Sequence, residues 1–242
     1  MLLCISTPLS NANEQPDIDE IIDKIDRLFR SESSRTRFEM RIETPDWQRT
    51  LQMEGWSEGL DKAFIRILSP KKETGTATLR IENEMWNYFP KINKVMKVPP
   101  SMMMGSWMGS DFTNDDIVKE SSMRDDYTAS LIKPQDAESG FYYAEFIPRE
   151  DSPIVWGRIV AKVRKEDYIP VREEFYDEKG TLMRIMVLKE IKSLGGKTIP
   201  AVMELIPLNK KGHRTIVTYT DATFDLELPK DIFTLRNLQQ RR

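Results

Sequence analysis

The stretch "RTRFEMRIET", residues 35–44, alternates apolar and charged side chains with a period of two. In an extended chain, Phe38, Met40 and Ile42 point to one side, and the charged residues between them point to the other. This pattern predicts a β-strand with one dry face and one solvated face. A strand of this kind has to pack its dry face against another part of the chain.

The same alternation recurs along most of the sequence, and turn-forming stretches such as "DEKG" and "NKKG" separate many of the runs. The further runs are 47–57, 62–68, 76–82, 84–89, 94–98, 127–135, 140–147, 155–164, 169–176, 182–192, 198–208 and 214–224. They predict a mainly β protein of about a dozen antiparallel strands. Such a large sheet must curl or split. We expect one strongly curved sheet around its own dry face, with a two-sheet sandwich as the alternative.

One segment near the start has helical rather than strand periodicity. Apolar residues recur every three or four positions between Asp17 and Phe29, and Asp17 is followed three residues later by Glu20, as at a helix start. The apolar positions are Ile18, Ile21, Ile22, Ile25, Leu28 and Phe29. Because little other helix is predicted, we expect this helix to cover the dry face of the sheet, with Ile21 and Ile25 facing it.

A second covering element is predicted at residues 99–126, which we call the lid. It contains "SMMMGSWMGSDFTNDD", residues 101–116. Pro99 and Pro100 end a strand, and two glycines interrupt any long helix through the methionines. Thr113 with Asp116 three residues later resembles a capping box for a short helix through Val118. Long insertions of this kind in compact domains are often lids or binding elements.

The methionines of the lid indicate an apolar binding surface. Methionine is unbranched and polarisable, so a cluster of methionines adapts to apolar partners of varied shape, such as acyl chains. The predicted lipid-binding residues are Met102, Met103, Met104, Trp107, Met108, Phe112, Trp86 and Phe89, together with Ile21 and Ile25 of the helix. In the simpler interpretation, these side chains only fill the space between the lid and the sheet.

The composition restricts the possible classes of protein. With 39% apolar and 31% charged residues, the 242-residue chain can form one domain with a substantial core. The 36 Lys and Arg residues are scattered among 39 Asp and Glu residues, which argues against a nucleic-acid partner. Cys4 is the only cysteine, so no disulfide framework or thiolate metal site is predicted. The sequence contains no run of 18 apolar residues, so it does not predict a membrane-spanning helix.

The N-terminal sequence "MLLCISTPLSNANEQPD" resembles the end of a secretory signal. A short apolar segment from Leu2 to Leu9 precedes Ser10-Asn11-Ala12, which has small residues at the −3 and −1 positions for cleavage after Ala12. We therefore expect residues 1–12 to be a signal-peptide remnant and residues 13–242 to form a single exported domain.

No catalytic, metal or cofactor site is predicted. The only histidine, His213, lies in the charged turn "NKKGHRT", where an exposed surface role is expected. "GSWMG" carries Trp107 where a nucleophile elbow would have serine. The acids of "DFTNDD" lack calcium-loop spacing and suit a helix start. The sequence therefore does not predict an enzyme.

The order of these elements resembles a known family. The helix, "MGSDFTNDDIVKE", "YIPVREEFYDEKGTLMRIMVLKEI", "GGKTIPAVMEL" and the ending "LPKDIFTLRNL" are similar, over about residues 17–240, to LolA-like outer membrane lipoprotein-sorting proteins. The resemblance implies an unclosed antiparallel half-barrel of about 11 strands, whose concave apolar face is covered by an N-terminal helix and short lid helices.

The resemblance also implies a function. It suggests a periplasmic protein of the Gram-negative cell envelope that shelters lipid or lipoprotein acyl chains, without catalytic residues or cofactor. An inner-membrane RND-type transporter is an implied candidate partner, and contact with the membrane itself would be transient at most. The alternative is an envelope interaction or sensor protein that is not a carrier, in which the apolar core is permanently filled.

Overall fold

The computed structural model describes residues 16–28, 31–118, 123–150, 152 and 154–240. The predicted signal segment and Cys4 lie outside these residues. The described helices are α1 (Ile18–Leu28), α2 (Asn114–Val118), α3 (Met123–Asp126) and α4 (Leu235–Leu238), with a 3-10 helix at Pro100–Met102. The strands are β1 (Ser33–Glu43), β2 (Gln48–Glu58), β3 (Lys62–Ser69), β4 (Ala77–Ile81), β5 (Glu84–Phe89), β6 (Lys94–Lys97), β7 (Tyr127–Ile132), β8 (Phe141–Pro148), β9 (Arg158–Arg164), β10 (Pro170–Tyr176), β11 (Leu182–Leu194), β12 (Lys197–Pro207) and β13 (Arg214–Phe224).

All 13 strands form one antiparallel sheet in the order β6-β5-β4-β3-β2-β1-β13-β12-β11-β10-β9-β8-β7. Neighbours in the sheet follow one another in the chain, except for β1 and β13, which pair and join the two halves. The edge strands β6 and β7 are connected by the lid, and the sheet is not closed into a barrel. The prediction of a single open sheet is confirmed, with 13 strands instead of about 11.

The strands form where the period of two predicts them, with one notable difference. The run at 155–164 becomes strand only from Arg158. Trp156, two residues earlier, leaves the ladder, and its side chain packs against the apolar core beside Phe175. An apolar side chain in a loop therefore extended the apparent strand pattern.

Helix α1 lies on the apolar face of the sheet, as predicted. Its first turn begins at Asp17, whose side-chain Oδ1 accepts a hydrogen bond from the backbone of Asp19 at 3.0 Å. Ile21 and Ile22 are buried, and Ile18 and Ile25 are half-buried beside them. The helix contacts β7 and β12, so it covers the β7–β12 half of the sheet. Phe29, the last residue of the predicted helix, lies outside the described residues.

The opposite face of β3–β5 is also covered, which the sequence did not predict. The C-terminal segment places Ile232 and Leu238 against Phe64, Leu79 and Tyr88. Helix α4 is capped by Thr234, whose Oγ1 accepts a hydrogen bond from the backbone of Asn237 at 3.1 Å. Since the lid covers the other face, β4 is dry on both sides and four of its five residues are buried.

Candidate functional site

The apolar face of the sheet that α1 and the lid cover carries two clusters of buried side chains. The helix half lies under α1 and contains Ile21, Ile22, Tyr127, Ala144, Phe146, Ile159, Ala161, Val163, Phe175, Met186, Leu188 and Leu205. The lid half lies under the lid and contains Phe38, Met40, Ile42, Leu51, Met53, Ile67, Met85, Val98, Trp107, Val118 and Val217. Phe112 of the lid and Met203 of β12 pack against both clusters and connect them.

The lid folds as a compact loop of short helices. Its backbone hydrogen bonds between Pro99 and Val118 run within the segment, for example from the nitrogen of Trp107 to the oxygen of Phe112 at 2.8 Å. Gly109 turns the chain with φ +76°, a conformation that favours glycine. The predicted capping box is confirmed: Asp116 Oδ2 accepts from the Thr113 backbone at 2.8 Å, and Thr113 Oγ1 accepts from the Asp116 backbone at 3.1 Å.

The lid divides the predicted lipid-binding residues between the core and the surface. Trp107 is buried in the lid half, and Met103, Met108 and Phe112 pack against the same cluster. Met102 and Met104 are 58% and 55% exposed, so these two residues do not line the covered face of the sheet. The methionines therefore form two sets, one facing the sheet and one facing solvent.

Of the remaining predicted residues, Ile21 and Ile25 lie in the helix half, as expected. Phe89 is 37% exposed and lines the same groove as Met102 at the outer edge of the lid. Trp86 does not belong to this surface. Its side chain packs against the C-terminal segment on the other face of the sheet, because it pairs across the ladder with Leu79, which also faces that segment.

A recess of about 220 Å³ lies between the lid and the sheet. Trp107, Phe112 and Ile117 line it from the lid. The lining residues of the sheet are mostly apolar and include Phe38, Ile65, Ile199, Met203, Val217, Tyr219 and Phe224. This recess lies at the junction of the helix half and the lid half, where the cover is a loop instead of a regular element.

A larger groove of about 740 Å³ lies at the outer edge of the lid, beside the turn between β5 and β6. Its apolar lining includes Phe89, Ile92, Met96, Val98, Pro99, Met102 and Met108, and its polar lining includes Arg49, Lys72, Lys91 and Lys97. Met102, Met108 and Phe89 therefore meet here, and Met108 also packs against the lid half, so it contributes to both surfaces. The volume is within the range of about 300–1,000 Å³ that is typical of ligand pockets.

Side-chain contacts fasten the lid to the sheet at several points. The carboxylate Oδ2 of Asp111 accepts a hydrogen bond from the hydroxyl of Thr215 in β13 at 2.8 Å. The backbone nitrogen of Asp111 donates to the Oγ1 of the same Thr215 at 3.0 Å. Arg49 of β2 donates to the backbone oxygen of Met108 at 2.9 Å. The indole Nε1 of Trp107 donates to Thr78 Oγ1 at 3.1 Å.

The expectation for His213 needs a correction. The residue lies in the turn between β12 and β13, as predicted, but its side chain is only 32% exposed. Its Nδ1 lies 3.6 Å from Oδ1 of Asp111, whose side chain is 3% exposed. His213 is therefore a neighbour of a lid carboxylate and not a freely solvated surface residue.

A bidentate ion pair between Asp116 and Arg184 of β11 also joins the lid to the sheet. Arg184 Nη1 and Nη2 donate to the two carboxylate oxygens at 2.8 and 2.7 Å, which is the bidentate geometry of a strong pair. The guanidinium lies 4.3 Å from the Trp156 ring and 4.5 Å from the Phe175 ring. Burial raises the pKa of the Asp116 carboxyl, but the hydrogen bonds and charge of Arg184 and the hydrogen bonds from Thr113 outweigh it, so this pKa lies below its usual value.

A second charged group, Glu173 of β10, lies on the same face of the sheet. It pairs across the ladders with Ala161 and Met186, which both belong to the helix half. Its side chain is half-buried. Burial raises the pKa of the Glu173 carboxyl to about 7, although the charge of Arg184 opposes this rise. The apolar face therefore contains one acid whose charge changes near neutral pH.

Neither Arg184 nor Glu173 was singled out from the sequence, although a signal was present. In "LMRIMVL", Arg184 occupies a position of the same parity as Met186 and Leu188, which face the core. In "VREEF", Glu173 has the same parity as Phe175. Charged residues at dry-face positions of neighbouring strands, with opposite signs, indicate a buried polar contact.

Metal sites and membrane-spanning helices are both absent among the described residues. No group of three or more His, Cys, Asp or Glu side chains comes together among them in an arrangement that could hold a metal ion. None of the helices described is long and apolar enough to cross a membrane.

A protein-family model described as an uncharacterized protein matches residues 59–240, about three quarters of the chain. The chain belongs to this uncharacterized family. No curated protein sequence matches the chain significantly.

Three solved structures share the fold. A DUF1329 family protein from Desulfovibrio piger has a TM-score of 0.80 and 22% identity, covering 90% of this chain and 96% of its own. A domain from Vibrio parahaemolyticus described as an outer membrane lipoprotein-sorting protein has a TM-score of 0.76 and 22% identity, covering 92% and 98%. A LolA superfamily protein from Nitrosomonas europaea has a TM-score of 0.74 and 20% identity, covering 90% and 98%.

These similarities confirm the resemblance drawn from the sequence. The family member described here has a LolA-like fold over nearly its whole described length, with one open antiparallel sheet. At 20–22% identity, the three neighbours establish the fold alone, and the activity of this protein has to be argued from its own residues.

Proposed function

We propose that this LolA-like protein is a periplasmic carrier that shelters the acyl chains of lipids or lipoproteins against the apolar face of its sheet. The observation that carries the proposal is the cover of the lid half. A loop of short helices closes this apolar face where a second sheet would make a tight core, and a recess remains beneath Trp107 and Phe112.

The size of the recess requires the lid to move when cargo enters. Its volume of about 220 Å³ is below the range of about 300–1,000 Å³ that is typical of ligand pockets. When the lid moves away, the side chains of Trp107, Met103 and Met108 leave the sheet, and an acyl chain takes their place. In the empty protein the same side chains cover the sheet, so the apolar face stays out of water in both states.

The way in which the lid is attached supports this movement. The backbone of the lid bonds mainly to itself, so it can move without breaking a strand ladder. What fastens it are side-chain contacts, chiefly Asp116 with Arg184 and Asp111 with Thr215. A segment whose backbone lies outside the strand ladders has a lower free energy of local opening than core strands.

The energetics suit a carrier that must also release its cargo. An acyl chain with about fifteen methylenes gains about 12 kcal/mol if it is buried from water, at about 0.8 kcal/mol per methylene. A membrane offers the same chain a comparable apolar environment, and ordering the chain in the protein costs free energy. Transfer between protein and membrane is therefore close to balanced.

The cellular setting of the proposal comes from relatives. The Vibrio parahaemolyticus neighbour is described as an outer membrane lipoprotein-sorting protein, which would place a protein of the same role in the periplasm. An RND-type transporter partner stays a prediction that depends on the family resemblance. The proposal assigns no catalytic residue and no cofactor.

The first test is to identify bound lipid in the full-length protein purified from its host. Native mass spectrometry and lipid extraction should detect copurified lipid or acylated peptide in substoichiometric or greater amounts. A protein that is free of lipid and takes up no fluorescent fatty acid would favour the alternative, an interaction or sensor protein with a permanently filled core.

The second test uses the two sets of methionines. Met103→Ser places a hydroxyl on the covered side of the lid, and we expect fluorescent fatty-acid uptake to fall severalfold because apolar contact is lost. Met104→Ser is the matched control, because this residue is exposed and uptake should stay unchanged. Equal uptake by both folded variants would remove the covered side of the lid from the site.

A further inference from the structure

Four hairpin turns meet at one end of the sheet and form a continuous surface. They are residues 44–47, 70–76, 90–93 and 208–213, which connect β1–β2, β3–β4, β5–β6 and β12–β13. The antiparallel order places all four at the same end, next to one another along the sheet. We call them together the turn surface. Its neighbouring turns approach closely: a Cβ at Gly212 would lie 3.0 Å from Pro45, and one at Gly75 would lie 3.7 Å from Pro90.

The turn surface exposes large apolar side chains to solvent. Ile92 is 64% exposed, Leu208 47% and Trp47 45%, and Phe89 at the end of β5 is 37% exposed. The turns at the opposite end of the sheet are the described residues 59–61, 82–83, 133–140, 165–169 and 195–196. By contrast with the turn surface, these turns contain no exposed large apolar residue. Exposed apolar residues concentrated on one surface indicate an interaction site.

The same surface is basic, although the chain carries a net charge of −3. Its turns contain five lysines and two acids, Asp46 and Glu73, and Glu73 already pairs with Arg49. The lysines are Lys71, Lys72, Lys91, Lys210 and Lys211. The Nζ of Lys210 also lies 3.9 Å from the Oδ1 of Asp111 in the lid.

The turns at the opposite end have the reverse balance, with six acids and two lysines. The acids are Asp61, Glu82, Asp136, Glu138, Glu166 and Asp167, and the lysines are Lys133 and Lys165. The turns after β8 and β10 share the end of the turn surface, and their described residues contain three acids, Glu150, Asp177 and Glu178, and two bases, Arg149 and Lys179. Val155 in the turn after β8 is also 38% exposed, but the excess of lysines at this end is limited, among the described residues, to the four turns named above.

We propose that the turn surface docks the protein reversibly on an anionic phospholipid bilayer. Its lysines pair with the lipid phosphates, and the side chains of Ile92, Leu208 and Trp47 enter the interface between headgroups and acyl chains. Charge complementarity selects the bilayer as the partner: an anionic surface attracts the basic end and repels the acidic opposite end.

Docking in this orientation brings the lid close to the membrane. Arg49, whose guanidinium pairs with Glu73 of the turn surface, also donates to the backbone oxygen of Met108 in the lid. The 740 Å³ groove between the lid and the β5–β6 turn is lined by Ile92 and Lys91 of the turn surface. The proposal goes beyond the carrier function, since a docked protein need not hold lipid, but it gives a carrier a short path for cargo.

The test measures binding of the full chain to vesicles by co-sedimentation. We expect binding to vesicles of phosphatidylcholine mixed with phosphatidylglycerol, weak binding to pure phosphatidylcholine, and a decrease as salt is added. Lys71→Glu/Lys91→Glu/Lys211→Glu should lower the partition coefficient by at least about tenfold. The matched control, Lys133→Glu/Lys165→Glu at the opposite end, should bind like the wild type. Circular dichroism checks that each variant is folded.

A second variant tests the apolar contribution. Ile92→Ser/Leu208→Ser keeps all charges and should reduce vesicle binding severalfold. The binding that this variant loses should depend less on salt than the binding that the lysine variant loses. The proposal is overturned by absence of binding to phosphatidylglycerol vesicles, by equal binding to pure phosphatidylcholine, or by equal losses in the lysine variant and its control. Bound lipid in a protein without vesicle affinity would contradict docking alone, and vesicle affinity without bound lipid would contradict the carrier function alone.

Discussion

The helix half and the lid half cover the same apolar face by different means. Over the helix half lies α1, a regular helix whose Ile21 is fully buried and which packs directly on the strands. Over the lid half lies a loop with a recess beneath it, fastened by side-chain hydrogen bonds and one buried ion pair. Buried apolar side chains such as Trp107 also hold the lid half, but several polar side-chain contacts join it to the sheet as well. This difference supports the proposal that the lid is the part of the cover that opens.

Hydrogen bonds at α3 connect the two covers. The backbone nitrogens of Met123 and Arg124, at the start of α3, donate to the carboxylate of Asp26 in α1 at 2.9 and 3.3 Å. The Arg124 side chain also pairs with Asp19 and Asp23 on the exposed side of α1. These exposed pairs contribute little stability by themselves, but they connect the end of the lid to the helix.

The largest expected effect comes from breaking the ion pair of the lid. Asp116→Ala leaves Arg184 buried without its partner, which should lower the free energy of unfolding by roughly 3–5 kcal/mol. Urea denaturation measures this change. As the matched control, Lys192→Ala removes an exposed ion pair with Glu190 and should cost less than about 0.5 kcal/mol. If Asp116→Ala cost as little as Lys192→Ala, the ion pair would not be what fastens the lid.

A smaller effect should separate the two covers directly. Ile21→Ala creates a cavity in a tightly packed site and should cost roughly 2–4 kcal/mol. Met103→Ala removes a side chain that is only half-buried at the edge of the lid half, and about 1 kcal/mol is expected. Equal losses in thermal or urea unfolding would mean that the lid is packed as tightly as the helix, contrary to the comparison.

The effect of Glu173 should depend on pH. Folding raises the pKa of this carboxyl from 4.5 to about 7, so the charged form is disfavoured in the folded protein and stability falls as the pH rises through this range. Glu173→Gln removes the cost and should stabilise the protein by roughly 1–3 kcal/mol at pH 8, with little change below pH 4.5. Urea denaturation at both pH values measures the difference, and a gain that is equal at the two would refute this account of Glu173.

Much of the fold could be predicted from residue periodicity. Apolar and charged residues alternate around Phe38 and Met40 because one face of the strand is buried and the other is solvated. Strand β1 forms where this alternation predicts it. The isoleucines of α1 and the capping box at Thr113 also give local signals, because the interactions that they make are close in sequence. Such features need no knowledge of the distant chain.

Other features depend on contacts that are distant in sequence. Trp86 was assigned to the wrong face because both faces of β4 and its surroundings are dry, so alternation does not show which side the lid covers. The C-terminal segment that covers the second face arrives from more than 140 residues away. The pairing of Asp116 with Arg184 spans 68 residues, and the split of the methionines depends on the local path of the lid. No periodicity encodes these relations.

The central claim is that cargo enters by opening of the lid, and a reversible lock tests it most directly. Asp111 and Thr215 contact each other across the lid and β13, so Asp111→Cys/Thr215→Cys, with Cys4→Ser to leave only these two thiols, should form a disulfide. Fluorescent fatty-acid uptake by the oxidised protein should be at least about tenfold lower than by the reduced protein, with full recovery on reduction. Equal uptake in the two states, with the disulfide verified by mass spectrometry, would contradict the account.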